Sequence, residues 1–286
     1  MTQPPISKTI LITGCSSGIG LNAAQTLAAR GHRVFAAVRR NSDVEALSIE
    51  ASLTPVLIDL DDSRSIQSGV EDVLQQTNGH LDVLFNNAAF GLPGAVEDLS
   101  RQALKAQFET NLFGTHELTQ QIIPVMRAQQ SGRIIQNSSV LGIAALAYRG
   151  AYVASKFALE GLSDTLRLEL AGSGIDVVLI QPGPITSRFR HNSEQAFLRW
   201  IDAEHSIHKQ AYQAQLERMR KPGPAAPFTL PADAVTQKLI HAVESPRPKA
   251  RYPVTVPTHL FAWLKRVLST RMMDRVLQKA SGGGRR

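Results

Sequence analysis

Short apolar runs alternate with longer segments of helical pattern along most of this chain. The runs fall near 9–13, 33–38, 54–58, 81–86, 132–137 and 176–181, with a seventh strand expected from Arg251 to Val256. That alternation predicts a parallel sheet with helices on both faces. Right-handed crossovers then give a single Rossmann-type, doubly wound α/β sheet of about seven strands, with its ligand cleft at the carboxyl ends of the strands. The chain has 286 residues, enough for one large domain with a full core. No internal repeat is present.

The first run, Thr9-Ile10-Leu11-Ile12-Thr13, reads as a short buried strand. Gly14-Cys15-Ser16-Ser17-Gly18-Ile19-Gly20 turns the chain, and Leu21 to Arg30 reads as a helix. Glycines let the backbone approach a pyrophosphate, and the helix N-terminus offers free amides and a favourable dipole. The spacing differs from Gly-x-Gly-x-x-Gly, but strand–turn–helix is the context a dinucleotide site requires. The second run, Val34 to Val38, ends in Arg39-Arg40, and no acid follows until Asp43. An acid at that strand end would select the ribose 2′-hydroxyl of NAD. Arg39 can instead fork onto the 2′-phosphate of NADP, so NADP(H) is expected over NAD(H). Ser16 adds a hydroxyl inside the loop.

Tyr152 and Lys156 sit at i and i+4 in Tyr152-Val153-Ala154-Ser155-Lys156 and therefore share a helical face. A free phenol titrates near ~10 and is a poor acid or base at neutral pH. A neighbouring ammonium favours the phenolate and draws that value toward the working range. Tyr152 could then give a proton to a substrate oxygen as hydride reaches carbon, or take one from an alcohol. Ser139 follows the apolar strand Arg133-Ile134-Ile135 and precedes the tyrosine helix, where its hydroxyl could orient the substrate oxygen. The bland reading is a surface helix behind a Ser-rich turn. The glycine loop upstream weighs against it.

Taken together, these pieces resemble the short-chain dehydrogenase/reductase family. Thr13 to Gly20 resembles its glycine loop, and Asn86-Asn87-Ala88-Ala89 its Asn-Asn-Ala-Gly stretch, with Ala89 in place of Gly. Asn111 in Thr110-Asn111-Leu112-Phe113-Gly114 resembles the catalytic Asn, and Ser139, Tyr152 and Lys156 complete that set. Ser139 is preferred over Ser138 because it directly precedes Val140-Leu141-Gly142. Pro182-Gly183-Pro184-Ile185-Thr186 resembles the segment that clamps the nicotinamide carboxamide, and Asp59-Leu60 the adenine-contacting pair. The resemblance runs from about Lys8 to Arg190.

It implies an NADP(H)-dependent oxidoreductase that interconverts a carbonyl and its alcohol. The implied catalytic residues are Asn111, Ser139, Tyr152 and Lys156. Asn111 would lie at a helix bulge and hold a water bridging to Lys156. The implied cofactor residues are Gly14, Ser16, Ser17, Gly18, Ile19, Gly20, Arg39, Asp59, Leu60, Asn86, Ala88, Tyr152, Lys156, Pro182, Gly183, Ile185 and Thr186. The loop, Arg39 and the Arg251-Tyr252-Pro253-Val254 region resemble hydroxysteroid and retinol dehydrogenase-like members. A broad NADP-dependent aldehyde reductase would read the same way. Helices 101–130 and 152–171 are the family's usual subunit contacts, implying a homodimer or homotetramer. A catalytically silent NADP-binding regulator or scaffold is the rival from another class, and all four catalytic positions being filled argues against it.

The single Cys excludes an intramolecular disulfide and a Cys zinc cluster, and the scattered His give a metal site no support. Met1 to Lys8 is polar with two Pro and lacks a signal-peptide core. No apolar run nears the ~20 residues that span a bilayer. A cytoplasmic protein is expected. The net charge is +7, which favours anionic ligands or surfaces, but no nucleic-acid motif is present.

Residues 1–256 form the expected catalytic domain, including a substrate lid over 187–230. Phe197, Trp200, Ile201 and His208, then Tyr212, Leu216 and Met219, fall at helical spacings there, and Lys221-Pro222-Gly223-Pro224 ends the pattern. Its apolar face implies either a hydrophobic substrate or packing on the core. Residues 257–286 are expected to hold one amphipathic helix, 258–279, and a flexible tail from Ser281. Leu260, Leu264, Val267, Leu268, Met272 and Val276 lie near one side of that helix among Lys and Arg. It is expected to pack on the domain or a subunit, with weak peripheral membrane contact as the alternative.

Overall fold

The computed structural model describes residues 7–224 and 226–281. Its strands are β1 (Thr9–Thr13), β2 (Arg33–Val38), β3 (Leu53–Leu57), β4 (Val83–Asn86), β5 (Gly132–Asn137), β6 (Ile175–Gln181) and β7 (Arg251–Pro253). They form one all-parallel sheet in the order β3-β2-β1-β4-β5-β6-β7. The order reverses direction between β1 and β4, which opens a crevice at their carboxyl ends. β7 stops short of the expected Val256, because the backbone already enters a helix there.

The helices are α1 (Gly18–Ala29), α2 (Asn41–Leu47), α3 (Ser63–Gln76), α4 (Arg101–Phe108), α5 (Thr115–Gln129), α6 (Gly150–Glu169), α7 (Phe189–Trp200), α8 (Lys209–Arg220), α9 (Asp233–Glu244), α10 (Val256–Val267) and α11 (Thr270–Ala280). Strand alternation divides the core into two layers. Ile10, Ile12, Val34, Ala36, Val83 and Phe85 face one way, against Ala23 and Leu27 of α1 and Val235 and Leu239 of α9. Leu11, Phe35, Ala37, Leu84 and Ile134 face the other, against Ile66 and Val70 of α3 and Leu118 and Ile122 of α5. Both faces are covered, so the strands are apolar at nearly every position rather than at alternate ones.

A third apolar cluster lies under the 187–230 segment. Phe197 and Ile201 by α7 and Tyr212 and Met219 of α8 pack against Leu92, Ala95, Ala103 and Ala151. Most of that segment's apolar face therefore binds the body of the domain. The helical pattern is broken into two helices at 201–208.

The C-terminal region departs from the expected single helix. Leu268 (φ −91°, ψ 143°) and Ser269 (φ −65°, ψ 158°) are extended and separate α10 from α11. Ser269-Thr270 supplies hydroxyl residues that favour helix starts over interiors. The turn leaves Met273, Val276 and Leu277 half-buried. Ser281 accepts a hydrogen bond from the Ala147 amide at 3.3 Å, and the remainder of the expected tail lies outside the described residues.

Candidate active site

The glycine loop leaves β1 with Gly14 at φ +73° and Gly18 at φ +60°, a region where an L side chain is strained. At Gly20 a Cβ would stand 2.2 Å from the Gly14 carbonyl oxygen, so the turn closes only around a hydrogen. Ser17 is extended at the N-cap of α1 and makes no side-chain cap bond, which leaves its first-turn amides for another acceptor. Ser16 is exposed and Ile19 half-buried. Cys15 is wholly buried, its thiol is pushed up by burial, and it is inert packing.

Arg39 directly follows β2 and is exposed, with no hydrogen bond or ion pair among the described residues. Arg40 by contrast is tied to Asp43 at 2.9 and 3.1 Å. Arg39 shares a surface groove with Asp59, Ser65 and Ser68. The Asp59 carboxylate accepts from the Asp61 amide at 3.1 Å, and Leu60 is a core residue. A hydrogen-only cradle beside an unpaired guanidinium fits the diphosphate and 2′-phosphate of a dinucleotide.

The end of β4 sets two neighbouring asparagines to different tasks. The side chain of Asn86 turns into the core and donates to Thr119 at 2.8 Å, as its place in the strand alternation requires. Its neighbour Asn87 ties β4 to the glycine loop. The amides of Asn87 and Ala88 both donate to the Thr13 hydroxyl at 2.9 Å. The Asn87 side chain donates to the Thr13 carbonyl at 2.9 Å and accepts from Asn137 at 2.9 Å. Ala89 has no positive φ, so glycine is not needed there.

Asn111 lies in a π-helical segment, Glu109–Gly114, between α4 and α5. Such bulges cluster at functional sites. Its side chain donates to the Phe90 carbonyl at 2.9 Å and to Ser155 Oγ at 3.2 Å, and accepts from the Phe90 amide at 3.1 Å. The amide group thus fastens the β4 loop to α6, and it is not directed at Lys156.

Tyr152 and Lys156 lie on the inner face of α6, both buried. The Ser139 side chain acts on the Tyr152 phenol in the direction that favours its ionised form. Ser138, by contrast, has a buried hydroxyl with no protein partner. The Ser139 Oγ accepts from the Leu141 amide at 3.0 Å, which fixes its rotamer. Burial pushes the phenol up to about 12, and Ser139 opposes that rise. Burial lowers Lys156 to about 8, with Glu160 raising it. This reverses the expected order of influence: desolvation, rather than the ammonium, dominates the phenol. The Lys156 Nζ lies 5.7 Å from the tyrosine ring centre and donates to the Asn137 carbonyl at 2.7 Å.

The expected carboxamide segment follows β6. The Pro182 carbonyl accepts from Val140 at 2.7 Å, and the Thr186 amide donates to Leu230 at 2.9 Å. Ile185 pairs with Leu230. Gly183 sits where a Cβ would strike the Thr255 hydroxyl. A Cβ at Gly18 would meet Ser187 at 3.1 Å, so the glycine loop and this segment close on each other.

Sequence reasoning missed Thr13, Asn87, Asn137 and the contact made by Phe189. The Phe189 ring meets Tyr152 edge-on at 5.3 Å, in space left by Gly91, where a Cβ would lie 2.6 Å from its tip. The signal for Asn87 and Asn137 was available: each stands at a strand end facing the cleft. Phe189 had none, because the lid's path is a tertiary matter.

Residues 8–197 match the family described as short chain dehydrogenase. The chain is 43% identical over 279 residues to the uncharacterized oxidoreductase YbbO of Escherichia coli K12, covering 97% of each. It is 38% identical over 191 residues to human retinol dehydrogenase 8, covering 64% of this chain and 60% of that protein. Among solved structures, a short-chain dehydrogenase from Streptomyces avermitilis superposes with a TM-score of 0.75 at 25% identity, covering 99% of both chains.

Proposed function

The chain belongs to the short-chain dehydrogenase/reductase family, and from that membership we propose that it is an NADP(H)-dependent oxidoreductase interconverting an apolar aldehyde or ketone and its alcohol. The observation that carries the reading is the buried Tyr152 phenol, whose acidity the Ser139 side chain favours, set against the Phe189 ring at 5.3 Å. It is a proton donor at a fixed position, walled on one side by an aromatic surface.

Bound nicotinamide supplies or takes the hydride. Tyr152 delivers the proton to the carbonyl oxygen, and Ser139 holds that oxygen by a second hydrogen bond. Lys156, with a value near 8, is largely an ammonium at pH 7 and stabilises the phenolate left behind. Asn111 positions the loop and helix that carry these groups. Gly14, Gly18, Gly20 and the α1 amides hold the diphosphate, with Ser16, Ser17 and Ile19 in that turn. Arg39 takes the 2′-phosphate. Asp59 and Leu60 border the adenine, and Ala88, Pro182, Gly183, Ile185 and Thr186 enclose the nicotinamide half. Phe113, Phe157, Leu162 and Leu168 are exposed on or beside the helices expected at subunit contacts, which supports a homo-oligomer.

The test is NADPH oxidation against aliphatic aldehydes, retinal and ketosteroids, with Tyr152→Phe and NADH as controls. Activity with NADPH that disappears in Tyr152→Phe supports the reading. NADPH binding without turnover on any of them defeats it in favour of a silent cofactor-binding protein.

A further inference from the structure

Beside its exposed polar residues His259, Lys265 and Arg266, α10 also turns apolar side chains to solvent. Val256, Leu260, Trp263 and Val267 recur at i, i+4, i+7 and i+11, one continuous helical stripe, and each is between 48% and 59% exposed. Met272 on α11 is half exposed as well. α11 itself has no buried residue. An uncovered stripe with a tryptophan in it is costly in water and marks a contact surface.

Charge identifies the occupant. From Val256 to Ala280 there are five Lys or Arg and a single Asp. Arg266, Arg271, Arg275 and Lys279 are all exposed, beside the stripe or in the helix that follows it. A second copy docked stripe to stripe would bring the two cationic sets together. An anionic lipid surface satisfies both the apolar residues and the cations at once, and tryptophan is suited to the boundary between acyl chains and headgroups. No helix among the described residues is long and apolar enough to cross a membrane, so the contact lies in the plane of the surface.

The stripe is also placed beside the site. Thr255 and Thr258, at the start of α10, abut Gly183. Ser281, at the end of α11, touches Ala147 ahead of the catalytic helix. We propose that α10 and α11 dock this protein on anionic phospholipid bilayers through Val256, Leu260, Trp263 and Val267 with the flanking cations, which sets the catalytic cleft next to the lipid phase.

The experiment is co-sedimentation of the full chain with phosphatidylglycerol vesicles and with phosphatidylcholine vesicles, alongside solution mass. Leu260→Ser/Trp263→Ser removes the apolar anchor, and Arg271→Glu/Lys279→Glu reverses the flanking charge. All four sites are exposed, and none lies in the catalytic or cofactor machinery, so fold and NADPH binding should be kept. The expected result is at least about tenfold more protein pelleted by anionic than by neutral vesicles, lost in both variants. Protein left in the supernatant with both vesicles overturns the proposal. Pelleting that survives Leu260→Ser/Trp263→Ser overturns it too, since the net charge alone would then be responsible. A wild-type oligomer that the apolar variant dissociates, without vesicle binding, assigns the stripe to a second copy instead.

Discussion

The ammonium of Lys156 rests 2.7 Å from the main-chain oxygen of Asn137 and 5.7 Å from the centre of the Tyr152 ring. Asn137 in turn donates to Asn87, which holds Thr13 at the glycine loop. One hydrogen-bonded line therefore joins Lys156 to the glycine loop.

That lysine is kept at a cost in stability. Its folded value near 8 lies below the unfolded 10.5, so the folded state binds fewer protons. The penalty is fully present below pH 8, fades between 8 and 10.5, and vanishes above, worth about 3 kcal/mol at neutral pH. Lys156→Met removes it but leaves the Asn137 oxygen unpaired, which returns about 1–3 kcal/mol. Lys156→Met is therefore expected to be as stable as the parent at pH 7, or more so by up to about 2 kcal/mol, while inactive. Parent stability should gain on the variant as pH rises from 8 to 10. Urea unfolding at several pH values measures both, and a variant much less stable at pH 7 would refute the desolvation argument.

The phenol at about 12 sets opposite pH profiles for the two directions. Reduction needs the protonated phenol, present throughout the neutral range, so kcat/KM for reduction should stay flat up to pH 8. Oxidation needs the phenolate, which is scarce, so its kcat/KM should climb by about tenfold per pH unit up to about pH 8, where loss of the Lys156 charge flattens it. Initial rates in both directions with one substrate pair check this. An oxidation profile that levels off below pH 7.5 would show that cofactor and Lys156 overcome the burial.

Gly20→Ala tests the cradle. The added Cβ meets the Gly14 carbonyl oxygen at 2.2 Å and the Asn87 side-chain nitrogen at 2.7 Å, and backbone cannot yield as a side-chain tip does. A loss of about 2–4 kcal/mol is expected, together with weaker NADPH binding. Thermal melts with and without NADPH separate the two effects.

The fold was legible because strands covered on both faces write themselves as apolar runs, and β1 to β6 begin and end within two residues of them. The placement of candidate residues was legible where they sit at a strand end, as Ser139 does, or on one helical face, as Tyr152 and Lys156 do. Two kinds of feature were not. Asn86 and Asn87 are adjacent with opposite duties, decided by which of them still obeys the strand pleat. The break at Leu268-Ser269 lies inside an otherwise continuous amphipathic pattern, and only packing decides whether such a helix bends. The direction of the Tyr152 shift was misjudged for a related reason: burial is a tertiary quantity, and spacing reveals the neighbour but not the missing water.

Phe189 offers the sharpest probe of the lid. Its ring packs on Tyr152 at 5.3 Å and occupies the space above Gly91, yet it remains 37% exposed, so it contributes little to the core. Phe189→Ala should cost at most about 1 kcal/mol of stability. The loss should appear in substrate binding: about a tenfold rise in KM for long or ring-bearing carbonyls, with kcat held and short aldehydes unaffected, since only the former reach the aromatic wall. A kcat/KM series over aldehyde chain length checks this. Equal losses at every length would mean that Phe189 orients the Tyr152 ring instead of receiving substrate, and Phe189→Leu would then restore the rate at all lengths alike.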